Sequence, residues 1–290
     1  MTHNPRMNDF QTLYPPPDSQ VQADVSRALA EDLGRGDATA DLLPAEAMAR
    51  AAIRCREDAV IAARAWVDAC FRRLDPSVRI AWRAAEGERV APDTVLCELE
   101  GRARALVSAE RSALNFLQLL CATATVTAAH VAAVRGTGCR ILDTRKTLPG
   151  LRVAQKYAVR VGGGVNHRIG LFDAVMLKEN HILAAGSIAA AVASARGLHP
   201  DLPLICEVES LDELQQAIAA GVDRVLIDDF SLDLMREAVR IAAGRVPLEV
   251  SGGVTLDTVR RYAETGVDYI SIGALTKHVR AIDLSMRLLR

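Results

Sequence analysis

From Gly138 onward the chain alternates short apolar runs with stretches of helical period. The runs are RILD (140–143), DAVML (173–177), LPLICE (202–207), DRVLID (223–228), PLEVS (247–251) and DYISIG (268–273). Two stretches resemble each other: EVESLDELQQAIAAGVDRVLID and EVSGGVTLDTVRRYAETGVDYISIG each place an acid near a strand end, then a helix, then Gly-Val-Asp before the next strand. Apolar strands separated by helices imply a parallel sheet covered on both faces. A complete eight-unit barrel takes roughly 250 residues, and far fewer follow Gly138. The expectation is therefore an α/β chain with an incomplete, six- to seven-stranded parallel β/α barrel, the seventh strand lying around Val161–His167.

In such a sheet the residues just past the strand C-termini converge on one mouth. Here they are Asp143-Thr144-Arg145-Lys146, Lys178, Glu207, Asp228, Ser251-Gly252-Gly253 and Ser271-Ile272-Gly273. Early strands deliver cations, with His167 and Arg168 nearby, middle strands deliver carboxylates, and the last two deliver glycine turns suited to phosphate. Two separated carboxylates suit Mg²⁺ held together with phosphates. The segment 140–181 carries +5, whereas the chain as a whole is −1, which points to a small anionic ligand and not to nucleic acid. Walker A, GxSxG and HExxH patterns are absent.

The remainder reads as support. Residues 1–18 form an expected loose arm, and 19–112 an α+β sandwich domain acting as a lid or in dimerisation, with a helix at Val21–Leu33 stopped by Gly34. The barrel is expected over 113–275, and 276–290 as a C-terminal helix packing on the N-terminal domain. A long apolar helix should begin at a Ser108 cap; on spacing alone Arg111 is a surface arginine. The RGD at 35–37 is read as a turn. Six scattered cysteines without a CxxC pair indicate reduced, buried thiols. With neither a signal-peptide pattern nor a membrane-spanning run, the expected location is the cytoplasm.

The motifs ERSALNFLQ (110–118), DTRKTLPGLR (143–152), GGGVNHRIGLFDAVMLKENH (162–181), CEVES (206–210), LIDDF (226–230), EVSGGV (249–254) and GVDYISIGALT (266–276) together resemble the quinolinate phosphoribosyltransferase family. ALAEDLGRGDAT (28–39) resembles the N-terminal signature of that family. The resemblance implies transfer of phosphoribosyl from phosphoribosyl pyrophosphate to quinolinate with decarboxylation, dependent on Mg²⁺, in a homodimer with no nucleic-acid or membrane partner. By position, Arg111 would reach the neighbouring subunit's quinolinate. Thr144, Arg145, Lys146, His167, Arg168 and Lys178 would line the substrate pocket. Glu207 and Asp228 would hold ribose hydroxyls and metal, acting in catalysis with Lys146, and Ser251, Gly252, Gly253, Ser271, Ile272 and Gly273 would cradle ribose and phosphate. Leu148 and CATAT (121–125) depart from the family pattern. Competing readings are an aldolase with Lys178 as Schiff-base lysine, a relative acting on another acceptor, and a non-catalytic phosphometabolite-binding barrel.

Overall fold

A computed structural model describes residues 15–289; most of the expected N-terminal arm, residues 1–14, lies outside that range. In chain order the elements are α1 (Asp18–Leu33), β1 (Met48–Cys55), β2 (Ala59–Val60), α2 (Arg64–Leu74), β3 (Arg79–Trp82), β4 (Arg89–Val90), β5 (Val95–Arg102), α3 (Ala103–Ala133), β6 (Arg140–Leu142), α4 (Arg152–Val161), β7 (Val175–Leu177), α5 (Glu179–Ala185), α6 (Ile188–Leu198), β8 (Leu204–Val208), α7 (Leu211–Ala220), β9 (Arg224–Asp228), α8 (Leu232–Ala242), β10 (Leu248–Ser251), α9 (Val259–Ala263), β11 (Tyr269–Ser271), α10 (Ala274–Lys277) and β12 (Leu284–Leu289). They fall into two units, both discontinuous in sequence.

One unit holds residues 15–128, 147–163 and 275–289. Its main sheet is antiparallel in the order β12-β1-β5-β3, with a separate β2-β4 ribbon. β1 alternates exposed and buried residues as a half-buried strand must, and its inward side chains meet a core containing Trp66, Phe71, Leu96 and Leu99. The expected helix at 276–290 is corrected here. Only Ala274–Lys277 is helical, and Leu284–Leu289 pairs antiparallel with β1 from Cys55↔Leu284 to Arg50↔Leu289. A six-residue apolar tail gives no clear period of its own, so the open edge of β1 decides its structure. The segment does pack on the N-terminal elements as expected.

Two further readings change. α3 runs unbroken for 31 residues directly from the end of β5, so Ser108 lies inside it and is no cap; its hydroxyl donates instead to Asp37 Oδ2 at 2.7 Å. Asp37 closes the RGD turn by accepting from the N–H groups of Thr39 and Ala40, both at 2.9 Å. By length and composition α3 could cross a membrane, yet half of its most apolar window is buried in the protein, as in a core helix. α4 belongs to this unit and not to the barrel: Tyr157 packs its ring against Trp66 at 5.3 Å and donates to Glu86, which also accepts from the N–H groups of Ala63 and Arg64. The sequence boundary at 112/113 therefore gives way to an exchange of segments.

The second unit, 129–146 with 164–274, carries the parallel sheet β6-β11-β10-β9-β8-β7. The expected seventh strand reduces to a single parallel bridge, Leu142↔Val165. Listed by position in the chain, the staves close from last to first through β11 beside β6, and the seam falls between Val165 and β7: an incomplete barrel. β9 and β10 are buried except at their last residues, Asp228 and Ser251, where the chain emerges.

The repeated Gly-Val-Asp has a structural cause. Asp223 Oδ2 accepts from Leu204 N–H at 2.8 Å, and Asp268 Oδ2 from Leu248 N–H at 2.8 Å, so each aspartate fastens the start of the neighbouring strand. Asp223→Ala should leave a buried donor unsatisfied and cost about 1–3 kcal/mol. The expected readout is a melting temperature lowered by several degrees with turnover per folded molecule unchanged.

Candidate active site

At the carboxyl ends of the parallel strands lies a cavity of about 230 Å³ lined by Thr144, Arg145, Lys146, His167, Arg168, Met176, Lys178, Glu207, Leu226, Glu249, Ser251 and Ser271. Beside it, sharing Ser251, is a second cavity of about 550 Å³ lined by Glu209, Asp228, Asp229, Phe230, Met235, Ser251, Gly252, Gly253 and Tyr262. Residues spread over more than 120 positions of sequence thus meet at one mouth. The expected cations line the first cavity together with Glu207 and Glu249, while Asp228 and the Gly252-Gly253 turn line the second.

Glu207 and Asp228 are not helix caps. Ser210 and Ser231 cap α7 and α8 by accepting from Glu213 N–H at 3.2 Å and Leu234 N–H at 3.3 Å. Glu207 and Asp228, each three residues earlier, are released from that duty. Lys178 does stand at the N-cap of α5, with its backbone N–H donating to His181 Nδ1 at 3.1 Å, while its ammonium forms an ion pair with Glu207.

The first two cation-bearing loops are joined by Asp143. Fully buried at the end of β6, it accepts from Asn166 Nδ2 at 2.6 Å and from His167 N–H at 2.8 Å. Sequence reasoning placed Asp143 in the ring without giving it this work. Arg168 donates to Ala174 O at 3.1 Å. Burial and the neighbouring Arg145 both push its pKa below the usual guanidinium value, against the opposing pull of Asp173. Two guanidinium groups held together in a partly dry wall call for an anion carrying more than one charge.

Sequence reasoning also missed Glu249, which lies on the cavity floor at 0% exposure. Burial alone would raise its pKa, but His167 and Arg224 draw it down to about 2. Its distance to Arg224 Nη1 is 2.8 Å and to His167 Nε2 3.4 Å. The signal available beforehand was an acid in the middle of an otherwise apolar buried strand, next to a strand opening with arginine.

Of the remaining expected residues, Gly273 abuts Lys146: a Cβ there would come within 2.9 Å of Lys146 Cδ. Ile272 is buried and its N–H pairs with Leu142 O at 2.9 Å, which makes it a closing rung of the barrel. Gly252 and Gly253 both have positive φ, 97° and 58°, a conformation that turns backbone N–H groups toward an anion. The turn does not itself open a helix; α9 begins at Val259. Arg111 is exposed on α3 in the other unit and lines neither cavity. Among the described residues no three His, Cys, Asp or Glu side chains gather into a metal cage.

Residues 37–121 match the model of the quinolinate phosphoribosyl transferase N-terminal domain, and 123–287 that of its C-terminal domain. The chain belongs to the quinolinate phosphoribosyltransferase family. Within that family it is 43% identical to a nicotinate-nucleotide pyrophosphorylase (carboxylating) of Mycobacterium leprae, covering 91% of this chain and 95% of the relative. It is 38% identical to a probable enzyme of the same name from Bacillus subtilis, over 92% and 93%. The solved nicotinate-nucleotide pyrophosphorylase of Francisella tularensis superposes with a TM-score of 0.94 at 44% identity, covering 97% of this chain and all of that one. The two domain models together span both units, so the antiparallel unit belongs to the family pattern as much as the barrel does.

Two outcomes follow for these buried carboxylates. Asp143→Asn can accept from only one of its two donors, so kcat/KM should fall by roughly tenfold or more with about 1–3 kcal/mol of stability lost, read by initial rates and thermal melts. Glu249 has a depressed folded pKa, so its contribution is fully present above the ordinary carboxylate value of 4.5 and is lost as pH falls toward 2. Melting temperature against pH should accordingly be flatter over that window in Glu249→Gln than in the parent.

Proposed function

We infer that this chain transfers phosphoribosyl from phosphoribosyl pyrophosphate to quinolinate with decarboxylation, giving nicotinate mononucleotide, pyrophosphate and CO₂ in NAD synthesis. The observation that carries this is the single cavity in which Arg145, Lys146, His167, Arg168 and Lys178 converge beside a carboxylate- and glycine-lined one. A planar dicarboxylate fits the first and a phosphorylated ribose the second.

The chemistry asks for placement more than for proton transfer. The ring nitrogen has a free lone pair and attacks the ribose C1 as the C1–O bond to pyrophosphate breaks, so no general base is required. The nitrogen is then cationic and accepts the electron pair released when the adjacent carboxylate leaves as CO₂; a solvent proton takes its place on carbon. Arg145, Lys146, Arg168 and Lys178 hold the dicarboxylate, and the turn at Gly252-Gly253 offers N–H groups to phosphate. Glu207 and Asp228 would hold the ribose hydroxyls and a Mg²⁺ ion. That fits a site with few protein ligands, because Mg²⁺ is commonly bound by one or two carboxylates plus substrate phosphates, and it would neutralise charge on the leaving pyrophosphate.

The pairing of Lys178 with Glu207 suits a charge clamp and not the neutral amine of a Schiff-base enzyme. The complete set of cations and both carboxylates favours the full reaction over a binding-only role. We further propose a homodimer in which Arg111 completes the partner's dicarboxylate pocket, supported by its exposure on α3 within ERSALNFLQ. The six buried free cysteines accord with a reducing cytoplasm.

Release of CO₂ and pyrophosphate from quinolinate, phosphoribosyl pyrophosphate and Mg²⁺ tests the assignment, with nicotinate as the competing acceptor; turnover of nicotinate but not quinolinate would overturn it. Lys146→Ala, at an exposed position, should lose about a hundredfold or more in kcat/KM without change in circular dichroism. Arg111→Ala and Lys146→Ala should each be inactive alone. Refolded together in equal amounts they should regain about a quarter of parent activity, because half the dimers are mixed and each mixed dimer holds one intact site.

A further inference from the structure

Nothing in the proposed reaction uses the charged group beneath the cavity. Barrel interiors are usually filled by branched aliphatic side chains, and burying an ion pair costs several kcal/mol per ion before the attraction is recovered. Yet Arg224 and Glu249 are 2% and 0% exposed and pair at 2.8 Å, with the Arg224 guanidinium also lying 4.3 Å from the centre of the Tyr269 ring. Stability is a poor account of such a pair. Its position gives a better one.

His167 Nδ1 accepts the backbone N–H of Arg168 at 2.7 Å, which leaves Nε2 as the nitrogen able to carry the ring's N–H. That nitrogen faces Glu249 Oε2 at 3.4 Å, an electrostatic contact and not a tight hydrogen bond. The backbone N–H of His167 is fixed separately by Asp143. The ring thus joins the buried carboxylate to the turn that brings Arg168 to the cavity wall. Glu249 Oε1, buried and without a hydrogen-bond partner among the described residues, belongs to a residue lining the same cavity.

We propose that Glu249, braced by Arg224, is a positioning residue for dicarboxylate binding: it holds the His167 imidazole with its proton on Nε2, and the imidazole holds the Arg168 turn in register with Arg145. This rests on the assignment of quinolinate as the acceptor. It predicts that loss of the carboxylate weakens quinolinate binding while sparing phosphoribosyl pyrophosphate, which belongs to the adjoining cavity.

The test combines a variant with a spectroscopic reading of the parent protein. Replacing both charges, Arg224→Met with Glu249→Met, avoids stranding an uncompensated ion, and such exchanges are often neutral for stability. KM for quinolinate should rise about tenfold with KM for phosphoribosyl pyrophosphate changed less than twofold, a size usual for loss of a supporting contact. In a His167→Ala background the same pair of substitutions should add less than twofold, because the route runs through the ring. In ¹⁵N-histidine-labelled parent protein, the His167 signal, assigned by its loss in His167→Gln, should show a protonated Nε2 and an unprotonated Nδ1. An unchanged KM for quinolinate, equal rises for both substrates, additive losses in the His167→Ala background or a protonated Nδ1 would each overturn the proposal. If the double variant does not fold, the ring signal of the parent decides alone. A parent protein that binds no quinolinate would sink the functional assignment, while the ring signal would still report whether Glu249 sets the imidazole.

Discussion

The barrel has a seam, and the carboxylate of Asp143 is what allows cavity-lining residues to sit beside it. Between Val165 and β7 the parallel ladder is missing, and the stave on the open side amounts to one bridge to Leu142. A chain with so little backbone pairing would ordinarily wander. Here side-chain acceptors replace the ladder: Asp143 takes Asn166 and His167 N–H, and Asp173 takes the N–H groups of Ile169 and Gly170 at 2.7 and 2.9 Å. Bonds to an ionised acceptor are stronger than amide–carbonyl bonds. The segment from Asn166 to Gly170 therefore has a fixed position although it belongs to no strand, and it carries two of the pocket's ionisable groups.

That fixing matters because the pocket is built against its own electrostatics. Arg145 and Arg168 repel, and burial removes the water that would screen them. A flexible pair would swing apart; a pair tied through Asp143 cannot. An anion of more than one charge placed between them would relieve that repulsion. Lys178 is handled differently. Its partner Glu207 holds its ammonium in an ion pair. Underneath, Glu249 balances Arg224, so the floor adds no further net positive charge and the attraction is confined to the rim.

Much of this could be read in the sequence because strand ends in a parallel sheet are topologically forced together. Once the six apolar runs were taken as strands, the residues after them had to converge, and they do, from Thr144 to Ser271. What stayed hidden depended on long-range pairing. β12 is too short to show a period, and only the free edge of β1 makes it a strand. α4 follows a barrel strand directly, yet Tyr157 and Glu86 draw it into the other unit. Glu249 was passed over because it lies two residues before the end of β10, where Leu248, Val250 and complete burial make it look like core.

Acids near the parallel strands do two unrelated jobs, and only their place along the strand separates them. Asp223 and Asp268 precede their strands and tie the start of a neighbour, so they contribute at the closed end of the barrel. Glu207 and Asp228 lie near the carboxyl ends of their strands on partly exposed positions, and serines cap the helices that follow. The repeat EV…GVD therefore mixes a fastening aspartate with a cavity-lining acid inside one stretch of about 25 residues. Duplicating such a unit copies both roles together, and the strand direction then delivers each to the end of the barrel where its chemistry can act.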